Sequence, residues 1–143
     1  MKILIPIVSY FIFWSLCSFG QVAVIANKDV PADTITKSEL IDMYTLEIGL
    51  WDSGRNIVVF DLKPKGEVKD TFYNYLGKST SRMKSIWMKK LLSSGDDPPP
   101  AIESESLMLE KIKKTSGAIG YISSAMVDEE VKILVTIPES NNQ

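Results

Sequence analysis

The chain has 143 residues, 45% of them hydrophobic, and a formal net charge of −2, which suits one globular domain. It contains no histidine and one cysteine, which excludes a Ser–His triad, a histidine general base and a histidine-ligated metal. The acidic balance also argues against a nucleic-acid surface and against a polybasic membrane patch.

Residues 1–20 have the pattern of a secretory signal peptide. A positively charged start precedes an apolar run, and small residues precede the cleavage that we predict between Gly20 and Gln21. The exported chain would then lack Cys17, so it could form no disulfide, thiolate metal site or cysteine nucleophile. We therefore predict a periplasmic or otherwise exported protein. The alternative is an uncleaved segment, which would be its only attachment to a membrane.

The first half of the exported chain is predicted to hold two strands and one helix. β-Branched residues indicate a strand over residues 21–27. Thr36 and Glu39 have the spacing of a capping box at the start of the first helix. Its buried face should consist of Leu40, Met43 and Tyr44. A continuous apolar run within residues 56–62 is typical of a strand that is covered on both faces.

The second half is predicted to begin with two helices. The first of them runs from Glu67 to Gly77, and the next begins at Ser79 or Thr80 and ends at Gly95. The buried face of this longer helix should consist of Met83, Ile86, Trp87 and Leu91.

The remaining chain is predicted to hold one more helix and two strands. Three prolines at 98–100 cannot be helical and indicate a rigid surface connection. Ser104 is placed to cap the helix, which stops before Gly117, because glycine adopts positive φ without steric cost. An apolar strand follows this glycine, and the alternating residues 131–137 indicate the last strand.

The order of these elements, β-α-β-α-α-α-β-β, defines the predicted fold class. Helices between strands indicate an α/β layered domain with a mixed or mostly parallel sheet flanked by helices. We assign residues 21–138 to this domain and residues 139–143 to a disordered polar tail.

Four sequence blocks resemble the phosphate-binding proteins of ABC transporters, which have the type 2 periplasmic binding-protein fold. These blocks, in the order that the family has them, lie within residues 42–54, 72–76, 87–99 and 117–121. The last is Gly-Ala-Ile-Gly-Tyr, which is similar to the family's Gly-small-Ile-Gly-Tyr strand. The resemblance implies an exported, non-enzymatic solute-binding module that binds phosphate or another small oxyanion weakly. The chain has length for about one of the two lobes that full-length members have.

The sequence departs from the family pattern where the family holds its anion. The family's Ser-Gly-Thr falls on residues 66–68, and its arginine falls near Asp61 or Leu62, so both hydroxyls and the guanidinium are absent. Backbone amides at a helix start and two lysines still offer donors and positive charge, although the added carboxylate competes with an anion. The candidate ligand-binding residues are Lys63, Lys65, Gly66, Glu67 and Val68. The alternative is that these lysines lie in a solvated loop.

The other chemically interesting residues favour structural roles. Trp51 and Trp87 are more typical of a core than of ligand stacking, and Tyr121 is more typical of packing. The adjacent carboxylates at 96–97 form a poor calcium site, and those at 103 and 105 favour a helix start. We therefore predict no enzyme activity, no cofactor and no metal. A second hypothesis is an envelope interaction protein that kept the fold, lost the ligand and binds a partner or a second copy of itself.

Overall fold

The computed structural model describes residues 21–139. The predicted signal peptide, with Gly20 of its cleavage site, and residues 140–143 of the predicted tail lie outside the described residues. The elements in chain order are β1 (Val22–Asn27), α1 (Lys37–Tyr44), β2 (Val58–Val59), β3 (Asp61–Leu62), α2 (Glu67–Leu76), α3 (Thr80–Ser94), β4 (Ala101–Ile102), α4 (Glu105–Lys114), β5 (Ala118–Ser123) and β6 (Val131–Ile137).

Two sheets organise the domain. The main sheet has four strands in the order β2-β5-β1-β6, in which β1 is antiparallel to both neighbours and β2 is parallel to β5. Strands β3 and β4 form a separate two-stranded parallel sheet. The predicted α/β layered domain is therefore confirmed, and of the two predicted sheet types the mixed one is present.

Helices cover both faces of the main sheet. Gly120 on β5 faces the side chains of Met108 and Ile112 from α4. The next residue, Tyr121, points to the opposite face, where its ring stacks on Phe72 of α2 at 3.8 Å between centroids. This double cover explains why five of the six residues of β1 and of β5 are buried.

The start of α1 and the ends of α2 and α3 follow the predicted local signals, whereas α4 ends at Lys114, with Thr115 in an extended conformation, so that Gly117 does not end it as predicted. Thr36 accepts a hydrogen bond from the Glu39 amide at 3.1 Å, and its hydroxyl donates to the Glu39 carboxylate at 2.9 Å. Gly77 and Gly95 end α2 and α3 with φ of 69° and 73°, the left-handed region that glycine adopts without steric cost. The predicted buried face of α1 is also confirmed, since all three residues are buried.

The prediction of one strand over residues 56–62 is wrong, because the chain changes sheets at Phe60. The Phe60 amide donates to the Ile119 carbonyl at 2.9 Å, on β5, whereas the Asp61 amide donates to the Pro100 carbonyl at 3.0 Å, just before β4. Strand β4 was not predicted after the prolines. Proline lacks an amide proton but keeps its carbonyl, so Pro100 can accept from β3.

Helix α3 buries a narrower face than its sequence predicts. Met83 and Trp87 are buried, Ile86 is half-buried, and Leu91 is exposed, so the prediction for Leu91 is wrong. Only the first half of α3 packs on the core, because the apolar residues of its second half point outward. No helix within residues 21–139 is both long enough and apolar enough to cross a membrane.

Candidate functional site

A cleft opens between the β3–α2 loop and the start of α4, with a volume of about 440 Å³. All the predicted ligand-binding residues except Lys63 line it, together with Leu62, Pro64, Lys69, Glu103, Ser104 and Glu105. Lys63 lies beside it, because its ammonium pairs with Glu103 at 3.1 Å. The structure therefore places four of the five predicted residues in one cleft and Lys63 beside it, and ligand binding there stays a prediction.

Helix α2 begins in this cleft without a side-chain cap. Thr36, Ser79 and Ser104 each accept a hydrogen bond from an amide in the first turn of α1, α3 and α4. The residue at the same position of α2 is Gly66, which has no side chain to accept one. The first-turn amides of α2 are thus available to an acceptor from outside the helix.

Charges of both signs surround the cleft. Lys65 is exposed and forms no ion pair within residues 21–139. Glu67 is exposed in the first turn of α2, and Glu103 neutralises Lys63. Glu105 accepts a hydrogen bond from the Ser123 amide at 2.6 Å, so its carboxylate is held at the rim. An incoming anion would meet one free lysine and several carboxylates.

A buried polar cluster, which no sequence pattern predicted, lies next to the cleft. The Asp61 carboxylate is only 4% exposed and accepts hydrogen bonds from the hydroxyls of Tyr73 at 2.7 Å and Tyr121 at 2.6 Å. The Lys69 ammonium lies 3.6 Å from the same carboxylate and donates to the Leu62 carbonyl at 2.7 Å. We refer to Asp61, Lys69, Tyr73 and Tyr121 as the Asp61 cluster.

The cluster keeps its tyrosines protonated. Burial raises the pKa of Tyr73 and of Tyr121 well above the usual range, and the negative charge of Asp61 raises both further. Burial also raises the pKa of Tyr44, whose hydroxyl donates to the Phe60 carbonyl at 2.7 Å. Each hydroxyl therefore acts as a donor that holds the strands where the chain changes sheets.

These raised pKa values predict a loss of stability in alkaline solution. A tyrosine in the unfolded chain has a pKa of about 10, and the folded values lie above it. The stabilisation is therefore complete below about pH 10 and is lost as the pH rises further, since the unfolded chain then releases the protons. We expect urea unfolding between about pH 8 and about pH 11 to show this decline.

Lysines also titrate in this range, so the tyrosines need a matched comparison. Tyr73→Phe removes one buried hydroxyl and keeps the ring, so the variant should lose stability less steeply with pH than the wild type. The same slope in both chains would contradict the assignment.

The tryptophans are part of the core. Trp51 is 5% exposed and donates through Nε1 to the Gly117 carbonyl at 2.9 Å. Trp87 is 7% exposed and donates to the Tyr44 carbonyl at 2.7 Å. The core interpretation is therefore confirmed for both. Within the described part of the chain, no group of three or more His, Cys, Asp or Glu residues is placed to hold a metal ion.

Solved structures of phosphate-binding proteins share this fold. A phosphate ABC transporter substrate-binding protein from Clostridium perfringens, solved with bound phosphate, has a TM-score of 0.66 and 21% identity over 79% of this chain and 43% of its own. An ABC-type phosphate transport receptor from Vibrio cholerae has a TM-score of 0.64 and 18% identity over 85% of this chain and 57% of its own. PstS from Borrelia burgdorferi has a TM-score of 0.56 and 17% identity over 80% of this chain and 47% of its own.

This likeness defines a class of fold. No protein-family model matches the sequence, and no curated protein matches it either. The chain spans 43% of one solved structure and 57% of another, or about half their length. It therefore has an α/β fold of the periplasmic binding-protein type, over a length that corresponds to a single lobe.

Proposed function

We propose that this chain is an exported, non-enzymatic solute-binding module that binds a small oxyanion, with phosphate as the first candidate, at the start of α2. The observation that carries the proposal is the uncapped N-terminus of α2, which opens into a cleft lined by Lys65, a lysine with no ion pair within residues 21–139. Amides at a helix start and a nearby ammonium are the donors that an oxyanion needs. The fold neighbour from Clostridium perfringens, solved with phosphate, supports the choice of ligand.

The same geometry predicts weak binding. Glu67 lies in the first turn of α2, where its carboxylate repels an anion that approaches the amides. Glu103 holds Lys63 at 3.1 Å, so that this charge is already neutralised. An arginine fork, which binds phosphate through two parallel hydrogen bonds, is absent from the described cleft.

Removing the competing carboxylates should therefore strengthen phosphate binding. Glu67→Gln removes the repulsion at the helix start, and Glu103→Gln releases Lys63. Interactions between exposed charges are worth about 0.2–1 kcal/mol, so each change should raise the affinity by up to about fivefold. Isothermal titration with phosphate and with sulfate measures this directly, and the gain should shrink as the salt concentration rises.

Two further variants make the test specific to the cleft. Glu129→Gln removes an exposed carboxylate elsewhere and should leave phosphate binding unchanged. Lys65→Gln should weaken it, since this lysine is the unpaired cation of the site. If no variant binds phosphate or sulfate at millimolar concentration while all remain folded, the oxyanion proposal is wrong.

A second candidate function is an envelope interaction protein that kept the fold and lost the ligand. The observation that favours it is that the chain's own carboxylates already neutralise two of the three lysines near the cleft. Lys69 lies 3.6 Å from Asp61, and Lys63 lies 3.1 Å from Glu103. Under this candidate the isothermal titration with phosphate or sulfate shows no heat. In addition, either light scattering shows self-association, or an envelope protein co-purifies with the chain. A strict monomer without a partner would count against it.

A further inference from the structure

Positive charge is concentrated on one part of an otherwise acidic chain. The whole sequence has a net charge of −2, yet residues 71–95 contain no aspartate or glutamate. The basic residues of this segment, nearly all of them on α3, are Lys78, Arg82, Lys84, Lys89 and Lys90. Within residues 21–139, only Lys90 of this set forms an ion pair, with Glu47 at 3.2 Å.

Large apolar side chains protrude from the same helix. Met88 is 55% exposed and Leu92, one turn further along, is 80% exposed. Leu91 is 36% exposed beside them. We refer to Met88, Leu91 and Leu92 as the α3 ridge. Lys84 and Lys89 lie beside Met88 and Leu92 of the ridge, and together with two serines these residues line a shallow surface.

A basic groove adjoins the ridge. It has a volume of about 560 Å³ and lies between α1 and α3. Its basic lining residues are Lys78, Arg82, Lys89 and Lys90, and its one acidic lining residue, Glu47, is the partner of Lys90. Ser85, Lys89 and Ser93 belong to both the groove and the surface around the ridge, so the two features are continuous.

We propose that α3 docks on an anionic phospholipid surface, independently of the oxyanion cleft. The groove supplies cations for lipid phosphates, and the α3 ridge supplies apolar side chains for the boundary between headgroups and acyl chains. A protruding ridge flanked by lysines needs no matching groove on a fluid lipid surface, whereas an acidic protein would have to provide one. Lysine stems can also lie along the apolar boundary while their ammonium groups stay at the phosphates.

A fluorescent label beside the ridge tests this proposal in the full-length chain. In a Cys17→Ser background, Ser93→Cys places an environment-sensitive label next to Leu92. Ser106→Cys places the same label on an exposed residue of α4, across the main sheet from α2. If residues 1–20 are retained and bind a membrane, they tether both labelled chains equally, so the comparison reports the contact of α3 alone.

The lipid composition and two lysines supply the controls. We expect the emission of the Ser93→Cys label to shift to the blue on phosphatidylglycerol vesicles. The shift should be smaller at high salt and absent on phosphatidylcholine vesicles. The emission of the Ser106→Cys label should stay unchanged on both lipids. Lys84→Gln with Lys89→Gln should weaken the response about tenfold or more, since each lysine near an anionic surface contributes to binding.

Three outcomes would overturn the proposal. One is a Ser93→Cys label whose emission does not change on phosphatidylglycerol vesicles, and another is an equal shift of its emission on both lipids. The third is a response to an acidic polypeptide such as polyglutamate without a response to phosphatidylglycerol, which would assign the surface to an acidic protein instead.

Discussion

Replacing Trp87 with alanine should lower the free energy of unfolding by about 3–5 kcal/mol. The indole is 7% exposed, and Trp87 and Met83 are the two residues of α3 that are buried in the core. The change removes this packing, leaves a cavity and abolishes the hydrogen bond from Nε1 to the Tyr44 carbonyl at 2.7 Å. Urea unfolding of the two chains measures the difference.

Two controls separate the contributions to this loss. Trp87→Phe keeps much of the buried ring but leaves the Tyr44 carbonyl without its partner, which should cost about 1–3 kcal/mol. Thr36→Ala removes a cap and no packing, so its loss should be about 1 kcal/mol. A Trp87→Ala variant as stable as the Thr36→Ala variant would contradict the buried position of the indole.

Local signals let the sequence predict how the helices begin and end. A cap acts within one turn, as between Thr36 and Glu39, so four consecutive residues contain the whole interaction. The glycines after α2 and α3 act through their own φ, which needs no distant partner. These features were predicted because the physics that determines them is local.

The change of sheets at Phe60 and the Asp61 cluster depend on distant partners. Phe60 and Asp61 are adjacent, yet the Phe60 amide donates to the carbonyl of residue 119 and the Asp61 amide to that of residue 100. Asp61 is separated in sequence by 12 residues from Tyr73 and by 60 from Tyr121. A single aspartate after an apolar run carries no local sign of these bonds. The β3–α2 loop of the candidate site could therefore be predicted, but the Asp61 cluster beside it could not.

Net charge concealed the basic surface of α3 in the same way. A net charge of −2 argues against a polybasic patch only if the charges are spread evenly along the chain. They are not, because all the acidic residues lie outside residues 71–95. The prediction that Leu91 is buried rested on helical spacing, which cannot show where the core ends. The exposure of the α3 ridge could thus be known only from how much of the helix packs on the core.

Gly117→Ala should destabilise the protein by about 2–5 kcal/mol, from two separable causes. With φ of 73°, an alanine here adopts a left-handed conformation that costs roughly 1–2 kcal/mol. A Cβ would also overlap the Asn56 carbonyl oxygen, a backbone atom that cannot rotate away, and overpacking costs about 1–3 kcal/mol more. The Gly117 carbonyl accepts from Trp51 at 2.9 Å and from the Val58 amide at 3.1 Å, so relief by movement would break these bonds.

Gly95 supplies the matched control, because its φ is also 73° while a Cβ there would meet no atom within 4 Å. Gly95→Ala should therefore lose only the conformational part, about 1–2 kcal/mol. The difference between the two variants in urea unfolding measures the contact with Asn56 alone. Equal losses would show that Gly117 is needed only for its φ. A larger loss at Gly117, with a weaker alkaline decline, would show that β5 has shifted and moved Tyr121 away from Asp61.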